Sequence, residues 1–149
     1  MGYAWALDIE TLKTKWRKRY SLYTCCNTAG PQVLGGHTLI IPGTGSHPFI
    51  YYNRCIYALD TSNGDTKWKF DAHGLLPPHV PWDYPHFHNN APIPLGNYLL
   101  TSDNNGGLYL ISWLDGSLAW ADPPQQVHMH TSGQAVVGPN DVAYIGFNF

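Results

Sequence analysis

With 149 residues, 44% of them hydrophobic, 12% charged and a net charge of −2, the chain has the size of one small domain or one short repeat array. No apolar run reaches the roughly 20 residues needed to span a membrane as a helix, and the N-terminus lacks the apolar stretch of a signal peptide. The 15 glycines and 12 prolines break every run of helical periodicity, so no helix longer than a turn is expected.

The elements repeat. Ala4-Trp5-Ala6-Leu7-Asp8 leads to Trp16, Ile56-Tyr57-Ala58-Leu59-Asp60 to Trp68, and Leu108-Tyr109-Leu110-Ile111-Ser112 to Trp120, with 52 residues between successive tryptophans. Asp8 and Asp60 correspond, with Ser112 in the third copy; Gly64 and Gly116 occupy the turn before the tryptophan, where the first copy has Leu12. A second element recurs at 32–41, 93–100 and 134–146. Short apolar runs at Leu39–Ile41 and Tyr98–Leu100, aromatic and aliphatic runs at 54–60 and 107–112, and the alternation at Thr66–Phe70 read as strands. Ser62-Asn63-Gly64-Asp65 reads as a hairpin turn, since Asn-Gly accepts the positive φ of a two-residue loop, and 114–117 repeats it. Repetition at this period marks stacked units that bury their faces against neighbours. Four short strands per unit predict an all-β fold of β-propeller blades.

The run 56–70, IYALDTSNGDTKWKF, resembles the repeat of the pyrroloquinoline-quinone-like (PQQ-like) β-propellers. The resemblance covers 2–20 as strands C and D of a blade, 31–70 and 91–122 as full blades, and 131–149 as strands A and B. It implies that Trp16, Trp68 and Trp120 pack between blades. About three blades' worth of strands, with the end blade split between the termini, fall short of the roughly four to eight blades of a propeller. The expectation is therefore a piece of a longer protein, or copies that complete one another head-to-tail, strands 134–149 of one pairing with 2–20 of the next. All eight Lys and Arg lie at or before Lys69, whereas 70–149 carries six Asp and no base, an asymmetry that would orient such a contact. Five of the bases fall in 13–19; lysines guarding an edge strand are preferred there to a nucleic-acid site.

Several residues could carry chemistry. Adjacent Cys25 and Cys26 can close a disulfide ring in an oxidising compartment, and the resembling quinone-dependent alcohol dehydrogenases hold such a ring against their cofactor. The segment 24–30 lacks the arginine that follows the pair in those enzymes, and two buried thiols in a connection are the competing reading. His86 with His88, and His128 with His130, are spaced so that each pair could offer two imidazoles to one metal, against loop histidines bonding backbone. Cys25–Cys26 and both histidine pairs fall in the connections from strand D to the next strand A, which gather on one face of a propeller. Tyr51, Tyr52, Trp82, Tyr84 and Phe87 make that face aromatic, suited to a partner, or else pack beneath its loops. Asp83, Asn89, Asn90 and Asp103 could serve a calcium site, yet no segment matches the family's catalytic motifs. The expectation is a non-catalytic repeat module for binding and assembly, without cofactor, whose partners are copies of itself or further blades. The alternative is a fragment of a PQQ- and calcium-dependent dehydrogenase. The resemblance favours an extracytoplasmic location for either.

Overall fold

The computed structural model describes residues 2–21, 30–42, 55–75, 87, 90–103, 106–122 and 135–146. Among the described residues, twelve strands form four antiparallel sheets. The first is the pair β1 (Gly2–Leu7) and β2 (Thr14–Ser21). The second runs in order β3 (Gln32–Leu34), β4 (Thr38–Pro42), β5 (Cys55–Asp60) and β6 (Thr66–Asp71). The third repeats that meander as β7 (Ile93–Leu95), β8 (Tyr98–Ser102), β9 (Leu108–Ser112) and β10 (Leu118–Asp122). The fourth pairs β11 (Val136–Val137) with β12 (Ala143–Tyr144) and is not hydrogen-bonded to the first. The helical elements among the described residues are two 3-10 turns, of four and three residues.

Residue parity explains which strands are buried. Successive side chains of a strand point to opposite faces. On β5, Cys55, Tyr57 and Leu59 join a cluster with Ala4, Ile41, Leu39, Trp16 and Tyr20, between the first and second sheets. Ile56 and Ala58, one residue out of phase, join Ile40, Trp68, Phe70, Leu99, Tyr109 and Ile111 between the second and third. Because both faces are covered, Cys55 to Leu59 is one unbroken buried run. On β9 only Tyr109 and Ile111 are fully buried, and on β1 only Gly2 and Ala4. Sheet one is thus covered on one face and open on the other, whereas in sheet three both faces of β8 are buried and the opening lies at the β10 edge, around Leu118 and Trp120. Phe70, Phe87 and Tyr109 meet with ring centroids 5.5–6.2 Å apart. Such pairs add roughly 0.5–1.5 kcal/mol each beyond area burial.

Two details differ from the sequence expectation. The loop at 61–65 is not a two-residue Asn-Gly turn: Asp60 N–H donates to Asp65 O and Gly64 N–H to Asp60 O, and Gly64 but not Asn63 takes positive φ. Asn63 instead uses Oδ1 to accept the Asp65 amide at 2.8 Å, a side-chain-closed turn. Phe87, placed by sequence either on an aromatic partner face or in packing beneath its loops, is wholly buried between sheets two and three, so its ring fills core.

Candidate functional site

The joint between sheets is built twice from the same parts. Trp16 Nε1 donates to Thr61 O at 2.8 Å, and Trp68 Nε1 to Trp113 O at 3.1 Å, each reaching the residue 45 positions ahead. The indole ring then lies flat on the turn that supplies the carbonyl. Gly64 and Gly116 sit beneath it at φ 77°; a Cβ there would stand 2.6 Å from the Trp16 ring and 2.7 Å from the Trp68 ring. Glycine is therefore favoured by the left-handed backbone and required by the ring's approach. Lys18 Nζ and Asp65 Oδ1 close 2.8 Å apart across the first joint, an exposed pair worth at most about 1 kcal/mol. Trp113 adds a further clasp, donating to Gly96 O at 2.9 Å while its ring reaches Gly35 of the second sheet.

The receiving turns are closed by carboxylates. Asp8 Oδ1 accepts from the Glu10 and Thr11 amides and the Thr11 hydroxyl. Asp60 accepts from Ser62, and Asp115 from Ser117. The Thr11 amide, its hydroxyl and Lys15 hold the Asp8 carboxyl down at about 2. The Ser117 amide, with the Ser112 and Ser117 hydroxyls, does the same for Asp115. Asp60 is lowered by Ser62. In the third copy Ser112 replaces the aspartate, and Asp115, at the position of Asn63, accepts from the Ser117 amide as Asn63 does from that of Asp65.

Beyond the two filled joints, two open faces carry the same types of residue. Trp120, expected between blades like its counterparts, is 49% exposed, against 9% for Trp68, because no described turn covers its ring. Leu118 beside it is also exposed. At the other end Tyr3, Trp5 and Leu7 project from β1, in register with the buried Cys55, Tyr57 and Leu59 of β5. Arg17 lies 4.3 Å from the Tyr3 ring centroid and 4.7 Å from that of Trp5, a cation held by two aromatic faces.

A buried polar group closes the β8–β9 connection. Asp103 accepts from the Gly107 amide at 2.9 Å and the Tyr109 hydroxyl at 2.5 Å. Burial, followed by the Asp103 charge, pushes the Tyr109 phenol far above its ordinary range. Asn90 donates to Ser102 O at 3.0 Å, leaving its Oδ1 without a partner. Both Asp103 oxygens are thus engaged within the protein, and no group of three His, Cys, Asp or Glu converges among the described residues. Cys55 is buried and its thiol is raised to about 11 by desolvation and then Asp71, so it stays protonated.

Of the residues singled out from sequence, Trp16, Trp68, Gly64, Gly116 and Asp60 meet at the turns between sheets, while Asp8 closes the equivalent turn in solvent. Cys25, Cys26, Tyr51, Tyr52, Trp82, Tyr84, His86, His88, His128 and His130 lie outside the described residues. Trp113 was missed, because its counterparts Thr61 and Ile9 are not aromatic. Only the repeat register could have pointed to it, since it stands where the next blade accepts an indole.

Four-stranded meanders stacked face to face and joined by tryptophans are β-propeller blades. Solved structures with this arrangement include BamB from Moraxella catarrhalis, with a TM-score of 0.63 and 18% identity over 90% of this chain. A quinohemoprotein alcohol dehydrogenase from Comamonas testosteroni has a TM-score of 0.60 and 13% identity over 81%. The blades are those of the PQQ-like propeller fold. The chain spans 37% of the length of the first neighbour and 18% of the second. No family model matches the chain, and no curated relative matches it. Among the described residues no helix is long and apolar enough to cross a membrane.

Proposed function

We propose that the chain is a non-catalytic β-propeller repeat module for assembly, whose two open faces receive other propeller sheets head-to-tail. The observation that carries this reading is Trp120: it repeats, on an uncovered face, a residue that is docked at both joints inside the chain. Its surroundings agree, since the Tyr3, Trp5 and Leu7 face is in register with a face that is buried one sheet further on. Charge supports the polarity of the contact, the basic residues lying toward the first sheet and the acidic ones toward the last. An extracytoplasmic location belongs to the same reading and rests on the resemblance alone.

Sedimentation velocity over a wide concentration range tests it. Concentration-dependent association, weakened by Val136→Pro at the β11–β12 pair, is the expected result. A compact 16.6 kDa monomer throughout would sink completion between chains.

The dehydrogenase alternative is favoured by one feature, the Cys25–Cys26 pair. Added PQQ and calcium would then yield a bound chromophore and dye reduction. The assembly reading expects neither with folded protein.

A further inference from the structure

The turn at 8–13 has the backbone of a tryptophan acceptor. Asp8 N–H donates to Lys13 O at 2.9 Å and Leu12 N–H to Asp8 O at 2.8 Å. The same two bonds close the turns of Gly64 (2.8 and 2.8 Å) and Gly116 (2.8 and 2.9 Å). Leu12 even takes the glycine conformation, φ 56° against 77°, although a branched side chain is disfavoured there. Ile9, in the place of Thr61 and Trp113, presents its carbonyl where an indole would bond, and is 90% exposed. The difference is a side chain. At both filled joints even a Cβ would come within 2.7 Å of the ring, a distance that real Cβ atoms do not reach, and leucine adds three carbons to it.

We propose that Leu12 closes the chain's own first turn to Trp120, so that the Trp120 face selects a propeller sheet whose turn carries glycine instead of a second copy of this chain. The inference rests on the assembly reading and names its partner: a four-stranded sheet with a free turn carbonyl and, three residues on, a glycine at positive φ. If copies pair through β1–β2 and β11–β12, the 8–13 turn of one comes to face Trp120 of the other. Leu12 then holds the indole off. Pairing of the strand edges remains, and the docked indole with its hydrogen bond is lost. Leu12, 77% exposed at a strained position, gains nothing visible in the chain itself. Its effect is on what docks there.

The test compares the wild-type chain with Leu12→Gly, Leu12→Ala and the double variant Leu12→Gly/Trp120→Ala, using sedimentation equilibrium and iodide quenching of tryptophan fluorescence. Leu12→Ala keeps the Cβ and should associate like wild type, with Trp120 quenchable. Leu12→Gly should self-associate at least 10-fold more tightly and shelter one more tryptophan, and Trp120→Ala should reverse both changes. Wild type associating as tightly as Leu12→Gly, with Trp120 already sheltered, overturns the block while leaving assembly intact. Equal gains from Ala and Gly overturn the Cβ argument. No association in any variant overturns both the block and assembly between copies.

Discussion

The turns at 8–13 and 60–65 have one backbone and opposite fates. Both are closed by an aspartate at the first position and by the same pair of main-chain bonds. The second lies beneath Trp16 and belongs to the core joint, whereas the first stands in solvent. Among the described residues no indole lies on the first turn, and its fifth residue is Leu12 where the second has Gly64. The local conformation of a repeat is therefore set by turn chemistry, and the two turns differ in the side chain carried at its left-handed position. A strained leucine that preserves the glycine conformation shows that the turn's own bonds outweigh a left-handed cost of about 1–2 kcal/mol.

The largest effect that would sharpen this comparison is removal of the docked ring. Trp68→Ala should cost about 3–5 kcal/mol in denaturant unfolding as a buried aromatic deletion. Trp120→Ala should cost far less in the isolated chain because its ring is half exposed. A loss below about 1 kcal/mol for Trp68 would remove the joint from the core.

The reciprocal exchange of turn residues comes next. Gly64→Leu places a Cβ against the Trp16 ring and forces a left-handed leucine, for a combined loss of about 3 kcal/mol. In Leu12→Gly, relief of about 1–2 kcal/mol of left-handed strain is offset by the roughly 0.5–1 kcal/mol that glycine's freedom costs. The change should stay within about 1 kcal/mol of wild type. Equal losses at both positions would show that the backbone, not the ring, distinguishes the turns.

The smallest effect is the titration of the turn carboxylates. Asp8 is lowered from 3.8 to about 2 in the folded chain, so its contribution is complete above 3.8 and fades as pH falls through about 2. Asp8 is partly exposed and Asp115 exposed, so solvent screening keeps the contribution small. Carboxyl carbon chemical shifts followed by NMR should titrate near 2 for Asp8 and Asp115 alike. A midpoint near 3.8 at Asp8 alone would mean that the first turn is held by its main chain without the aspartate.

Much of this was legible before any coordinates. The tryptophan register and the buried run of β5 follow from composition along the chain, since a strand covered on both faces must be apolar at every position. Leu12 is visible as a departure from Gly64 and Gly116, but the departure acquires meaning only when an indole is found 2.6 Å from a virtual Cβ. Phe87 could not be placed: its neighbours Trp82 and Tyr84 suggest a surface, and only contact with Phe70 and Tyr109 makes it core. Asp103 could have been a ligand by residue type. In the fold the Tyr109 hydroxyl, six residues away on the adjacent strand, donates to it.

The order of residues alone therefore determined the repeat unit, its strands and its turns, because periods of two and positive-φ glycines are local properties of the chain. Tertiary structure decided which tryptophans are docked and which aromatic is core. Those outcomes depend on atoms brought together from distant positions, 45 residues apart at each docked tryptophan, which no local pattern encodes.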